Sequence, residues 1–204
     1  MPTIDTGDTT TQQIQQTNVG YLGQSSDGLV IADGGANNYS TGDPGIAQAQ
    51  VYSGGVGDGS GTMWASVGST FDVTGSEARN FTITATGNAK GEMMAGVGGS
   101  ADAKISLICN QRGTDVSFSN VIAHREVNWP IDVAGFDKDP LSNMGSLGVT
   151  LDPNQTYEVL VRIQASMSLQ KSGVAHCDFH DLYWEFELDD PHRVLVDSFE
   201  FVRG

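Results

Sequence analysis

The chain has 204 residues, with 25 Asp and Glu against 10 Lys and Arg, a net charge of −15 and an apolar fraction of 38 %. Some 200 residues can bury a core without disulfide staples, and no apolar run reaches the 18 residues that a membrane-spanning helix needs. Nucleic acid and anionic membranes are excluded as expected partners, because both demand clustered Lys and Arg.

In chain order, residues 1 to about 18 are polar, with Thr9-Thr10-Thr11-Gln12-Gln13-Ile14-Gln15-Gln16-Thr17 at their centre. So few apolar side chains do not offset the entropy of ordering, which predicts a mobile arm that orders against a neighbour. Met1-Pro2-Thr3-Ile4-Asp5 lacks the basic flank and apolar stretch of a secretory signal as written. Gln12–Asn18 is the one short helical expectation. Gly28-Leu29-Val30-Ile31-Ala32 reads as a short strand, and the glycines from Gly54 to Gly61 read as a loop or linker. Residues 1–62 are therefore expected to form a polar, Gly-rich N-terminal arm and assembly segment, and 63–204 a folded domain.

Beyond residue 63 the dominant pattern is period-2 alternation. Tyr157, Val159, Val161, Ile163, Ala165, Met167 and Leu169 share one parity, and mostly polar residues share the other. Successive strand residues face opposite ways, so this is a long strand with one dry face. Phe81, Ile83 and Ala85 repeat the pattern, as do Val127, Trp129, Ile131 and Val133, then Trp184, Phe186 and Leu188. Leu195–Phe201 is the closing strand. Eight or nine such strands separated by Gly and Pro predict an all-β, jelly-roll-like antiparallel sandwich with an extended Gly-rich N-terminal arm, and an immunoglobulin-like sandwich is the alternative.

Three groups of side chains carry candidate chemistry. On a strand, His176, Asp178 and His180 line the wet face opposite Ala175, Cys177 and Phe179. His176 and His180 then lie roughly 13 Å apart, so His176 with Asp178, or Asp178 with His180, would each supply two metal ligands. Asp137 with Asp139, and Asp189 with Asp190, precede prolines in loops. Turn formation is the expected role of these Asp-Pro pairs, and no cofactor is expected; Ca²⁺ is the one ion for which they are candidate ligands. Cys109 and Cys177 read as small buried hydrophobes, with a disulfide between them as the other reading. Glu158, Glu185 and Glu187 lie on strands, but nothing brings two of them to one cleft. There is no nucleophile elbow, phosphate loop or dinucleotide fingerprint, and no enzymatic activity is expected.

Leu147-Gly-Val-Thr-Leu-Asp-Pro-Asn-Gln-Thr-Tyr-Glu-Val-Leu-Val-Arg-Ile163, followed by Val194-Leu-Val-Asp-Ser-Phe-Glu-Phe-Val202, resembles the last strands of jelly-roll domains in carbohydrate-binding modules and in surface or virion proteins. The shared feature is a hydrophobic-Asp-x-Asn-x-Thr-Tyr turn into a long strand. With 18 Asp, only 4 Lys and 26 Gly, the chain is similar in style to virion structural proteins of haloarchaeal tailed viruses. That resemblance implies a capsid decoration, turret or tail component. It would be assembled in the host cytoplasm, with other copies of itself and other virion proteins as partners. The alternative it implies is an extracellular or cell-surface module that binds a glycan or S-layer. Trp129, Trp184 and Tyr157 fall on core-facing parities, so the sequence reading finds no exposed aromatic platform for sugar.

Overall fold

In the computed structural model the described residues are 1–30, 34–39, 45–56, 58–128, 132–138, 141–143, 145–170, 172–179 and 193–204. They form fourteen strands and two single-turn 3-10 helices. The strands are β1 (Thr3–Asp5), β2 (Gln12–Gln15), β3 (Gly20–Val30), β4 (Gly34–Tyr39), β5 (Ile46–Val56), β6 (Gly59–Thr74), β7 (Arg79–Ala95), β8 (Gly99–Gln111), β9 (Ser117–Asn128), β10 (Asp132–Lys138), β11 (Leu147–Leu151), β12 (Thr156–Leu169), β13 (Ser172–Phe179) and β14 (Arg193–Arg203). The alternation is realised as an all-β sandwich.

One sheet runs β1–β6–β12–β8–β9, with β3 beside β1 on the same flank of β6. The other runs β10–β7–β13–β5–β14–β2, with β11 on β7 and β4 on β5. The chain changes sheet between β5 and β6, β6 and β7, and β7 and β8, a winding expected of a jelly-roll-like sandwich. Among the described residues all pairings are antiparallel except β1 with β6.

Strand β12 is the centre of the first sheet, paired along its whole length with β6 on one side and β8 on the other. Its odd-numbered residues from Tyr157 to Leu169 are all buried, as the alternation requires. They meet Phe81, Ile83, Ala85, Ala89, Met93 and Ala95 of β7, with Ala175, Cys177 and Phe179 of β13 and Phe199 and Phe201 of β14. Aromatic rings form two groups in this core; Phe136 and Phe179 meet edge-on at 5.2 Å level with Gly91, and the other group lies at the start of β12. Phe71 stacks on Tyr157 at 5.9 Å and meets Phe201 edge-on at 5.2 Å. Toward the other end of β12 the facing residues are small, with Ala65, Ala101, Ala103 and Ala165 in one sheet and Ala49, Ala95 and Ala175 in the other.

The turn into β12 is built as its residues imply. Asn154 takes a left-handed φ of 61°, which Asn tolerates better than most side chains. The Tyr157 hydroxyl accepts a 3.0 Å hydrogen bond from the Asp152 amide, and Thr156 Oγ1 donates to Asp72 Oδ1 at 2.7 Å. In β7, Gly87 has a φ of 135°, and a Cβ there would lie 2.0 Å from the Leu195 carbonyl. The ladder to β14 shifts register at this place, between Val196 and Ser198.

The expected arm is not what the structure shows. Residues 1–62 supply β1 to β5 and the start of β6, and the proposed boundary at 62/63 falls inside β6. Ile4, Ile14 and Val19 are buried in the common core. Strand β2 pairs with β14, and Gln16–Asn18 is a 3-10 turn rather than part of an α-helix. Of the glycines from Gly54 to Gly61, Gly54 and Gly55 lie in β5 and Gly59 and Gly61 in β6. A short strand needs only one apolar anchor when its backbone is paired, so counting apolar residues misread this segment.

Replacing Ile4 or Ile14 by Ala is therefore expected to cost the isolated chain about 2–5 kcal/mol of unfolding free energy each. Denaturant titration in molar KCl measures this, and an arm ordered only by neighbours would leave the midpoint unchanged.

Candidate functional site

The residues singled out in the sequence disperse. Asp139, His180, Asp189 and Asp190 lie outside the described residues, as do Trp129, Trp184, Glu185 and Glu187. Asp137 is on β10, in register with Lys90 of β7. His176 and Asp178 share the face of β13 opposite Ala175, Cys177 and Phe179, as the alternation predicts. That face is not wet, however: His176 is 7 % and Asp178 1 % exposed. Across the ladders Asp178 faces Gln50 of β5 and Glu92 of β7, while His176 faces Tyr52 and Met94. Gln50 Nε2 donates to Asp178 Oδ2 at 3.0 Å, and Gln48 is buried nearby on β5. This is a buried hydrogen-bonded band, the arrangement in which a polar group can leave water. Among the described residues no three His, Cys, Asp or Glu side chains are placed to hold one metal ion.

The two cysteines are free thiols in different sheets, Cys109 on β8 and Cys177 on β13. Cys177 Sγ lies 3.5 Å from the Asp102 carbonyl oxygen, to which it donates across the sandwich. Burial pushes the Cys109 thiol up to about 12, helped by the Glu158 charge, and burial raises that of Cys177 as well, helped by Asp178 and Asp102. These are core thiols rather than nucleophiles or ligands.

The outer face of the first sheet is different. Even-numbered residues of β6, β12 and β8 point away from the core, and one row across the sheet reads Trp64, Gln164, Lys104 and His124. Asp102 joins this face, pairing with Lys104 Nζ at 3.1 Å and with His124 Nε2. Trp64 is half-buried, and the Arg162 guanidinium lies over its ring at 4.3 Å. Trp64, which the sequence reading did not weigh, thus stands on an outer face, covered by Arg162 rather than open as a platform. The signal was available: Met63, Ala65 and Val67 take the core parity and leave Trp64 the other.

The third feature is the free side of β9, which forms the edge of the first sheet and pairs only with β8 among the described residues. Residues 116–123 contain no charged side chain. Val116 is 43 % and Val121 52 % exposed, Ser117, Ser119 and Asn120 are exposed, and Phe118 is half-buried. Beside Phe118, a shallow groove of about 300 Å³ runs against β7 and β11, lined by Asn80, Thr82, Gly148, Val149 and Thr150. The ladder to β8 shifts register at Ile105/Ser106, and beyond that point β9 becomes charged, with His124, Arg125 and Glu126.

No protein-family model matches this chain, and no curated protein is significantly similar to it. Among the described residues no helix is long and apolar enough to cross a membrane.

The thiols make a pH prediction. Their folded pKa values lie above the unfolded ones, so the folded chain holds protons that the unfolded chain releases. Their stabilising contribution is complete below the unfolded thiol pKa, about 8.5, and is lost as pH rises toward the folded values. Denaturant midpoints should fall between about pH 8.5 and 11, and the slope should flatten in the double variant Cys109→Ala, Cys177→Ala. Neither thiol should react with a disulfide reagent at neutral pH before unfolding.

Proposed function

We propose that this protein is a non-enzymatic structural component of a virion, a capsid decoration, turret or tail component, that assembles with copies of itself and with other virion proteins. The observation that carries the reading is the uncharged half of the β9 edge. An open strand edge is a template for pairing, and proteins that stay monomeric shorten, bulge or charge such edges. Most other edges among the described residues follow that rule, although β4, Gly34–Tyr39, is a second uncharged edge. Strands β1, β2 and β11 are short. Strand β3 carries two register shifts against β6. Strand β10 carries Asp132, Asp137 and Lys138. Residues 116–121 carry no charge and expose two valines beside the Phe118 groove; among the described residues their guards are a bulge at Ile122 and the hydrogen bond that Asn120 Nδ2 donates to the Ser146 carbonyl. Strand addition there supplies backbone hydrogen bonds for affinity, and the groove takes a partner side chain for specificity.

The rest of the molecule suits this role. Two sheets of mostly long strands present broad outer surfaces to neighbours, and assembly no longer requires a mobile arm. A net charge of −15 keeps free subunits apart in dilute buffer, and molar salt, with a screening length of about 3 Å, removes that barrier. Subunits would then associate in a halophilic setting.

Light scattering in molar KCl tests this. The wild-type chain should form oligomers at micromolar concentration, and Ser119→Lys with Val121→Lys should weaken them by about tenfold or more without lowering the denaturant midpoint. A wild-type chain that stays monomeric in molar salt overturns the reading.

A further inference from the structure

Arg162 projects from the outer face of β12, diagonal to Trp64 on β6, because Ser66 faces Arg162 and Trp64 faces Gln164 in the register. Its guanidinium lies 4.3 Å over the Trp64 ring, and its Nε donates to Ser66 Oγ at 3.3 Å. Ser66 is itself buried. The stack and the hydrogen bond hold the guanidinium plane from two sides. Among the described residues its two Nη groups have no hydrogen-bond or ion-pair partner. In a chain with 25 carboxylate residues against 10 Lys and Arg, a half-buried Arg without an ion pair is unusual. Lys104, on the next strand, is by contrast paired with Asp102. Burial lowers the Arg162 pKa, against the opposing influence of Glu158, so the group sits where an incoming anion would relieve its desolvation.

Along the outer face of β12, Glu158 lies toward one side of the fork, and hydroxyls and amides lie toward the other. Gln164 Nε2 donates to Ser166 Oγ at 3.4 Å, and Thr62 Oγ1 donates to the same oxygen at 3.0 Å. Arg162, Gln164 and Ser166 follow one another on the same face of β12, so the row spans about 13 Å along the strand. A planar fork reads a carboxylate through two parallel hydrogen bonds. The adjoining donors and acceptors read hydroxyl groups. One ligand class carries both, a polyol bearing carboxylates.

We infer that Arg162, held on Trp64 and Ser66, anchors a binding site for an acidic glycan, with Gln164, Ser166 and Thr62 taking the sugar hydroxyls along β12. The site is on the sheet face rather than the β9 edge, so it stands or falls separately from the assembly reading. In a surface-displayed protein it would attach the particle to an acidic cell coat.

The test titrates the full chain with a galacturonate trimer and with a neutral galactose trimer, followed by calorimetry and by tryptophan fluorescence. The acidic trimer should bind, and Arg162→Gln should weaken it by about tenfold or more. Arg162→Lys should weaken it nearly as much, since an ammonium lacks the fork. Gln164→Ala, an outward substitution, should weaken it less, and Arg79→Gln, at the start of β7 in the other sheet, should leave it unchanged. An unaltered melting transition in each variant shows that the fold is kept. Equal binding of the neutral trimer, no effect of Arg162→Gln, or no saturable binding at about 10 mM overturns the inference. So does complete displacement by acetate at the trimer's own carboxylate concentration, which would mark a bare anion contact. Loss of self-association in Arg162→Gln without any loss of sugar binding would assign the fork to a neighbouring subunit instead.

Discussion

The sandwich depends on the withdrawal of one parity of β12 from water. Seven side chains from Tyr157 to Leu169 face inward from a strand hydrogen-bonded on both sides. A slip of one residue would turn all of them outward and expose the whole row, so register here is set by burial. The Asp152–Thr156 turn fixes where that register begins. Tyr157 is tied to the Asp152 amide, and its ring joins Phe71 and Phe201 to link the two sheets. The rest of the first sheet is arranged around this strand.

Small residues toward the other end of β12 have a consequence of their own. Alanines facing alanines let the sheets approach, and Cys177 reaches the Asp102 backbone across the gap. Strand β13 is thereby held close to the first sheet. Its opposite face carries Asp178 and His176, buried against β5 and β7 rather than offered to solvent. The two faces of the second sheet are both dry at this place. A residue there contributes to stability first, and a loss of one partner would leave a buried polar group unsatisfied, at a cost of about 1–3 kcal/mol.

Both surfaces proposed for partners lie on the first sheet. Its outer face is a row of half-exposed polar side chains with one aromatic–guanidinium stack, and its β9 edge is neutral over the half that is open. Both features suit a strongly acidic chain. Backbone pairing at a neutral edge does not need opposite charges, and a single preorganised guanidinium offers an anion contact without a basic patch. Salt would weaken repulsion between copies of such a chain more than it would weaken either proposed short-range contact.

Alternation alone determined the all-β class, the length and inward face of β12, the core parity of β7, and the placement of His176 and Asp178 on the face opposite Cys177. These follow from the geometry of an extended chain, which is local. Local pattern did not show that residues 1–19 belong to the sandwich, because Ile4 and Ile14 are isolated apolar residues whose strands exist only through pairing with β6 and β14. Nor did it show that the face of Asp178 is dry, that β9 is an edge, or that Arg162 stacks on Trp64 without a carboxylate. Each of these depends on which strand lies beside which. Sheet neighbours are separated by up to 189 residues in the sequence, as Gln12 and Phe201 are, so order across the sheet is decided by tertiary packing and leaves no periodicity to read.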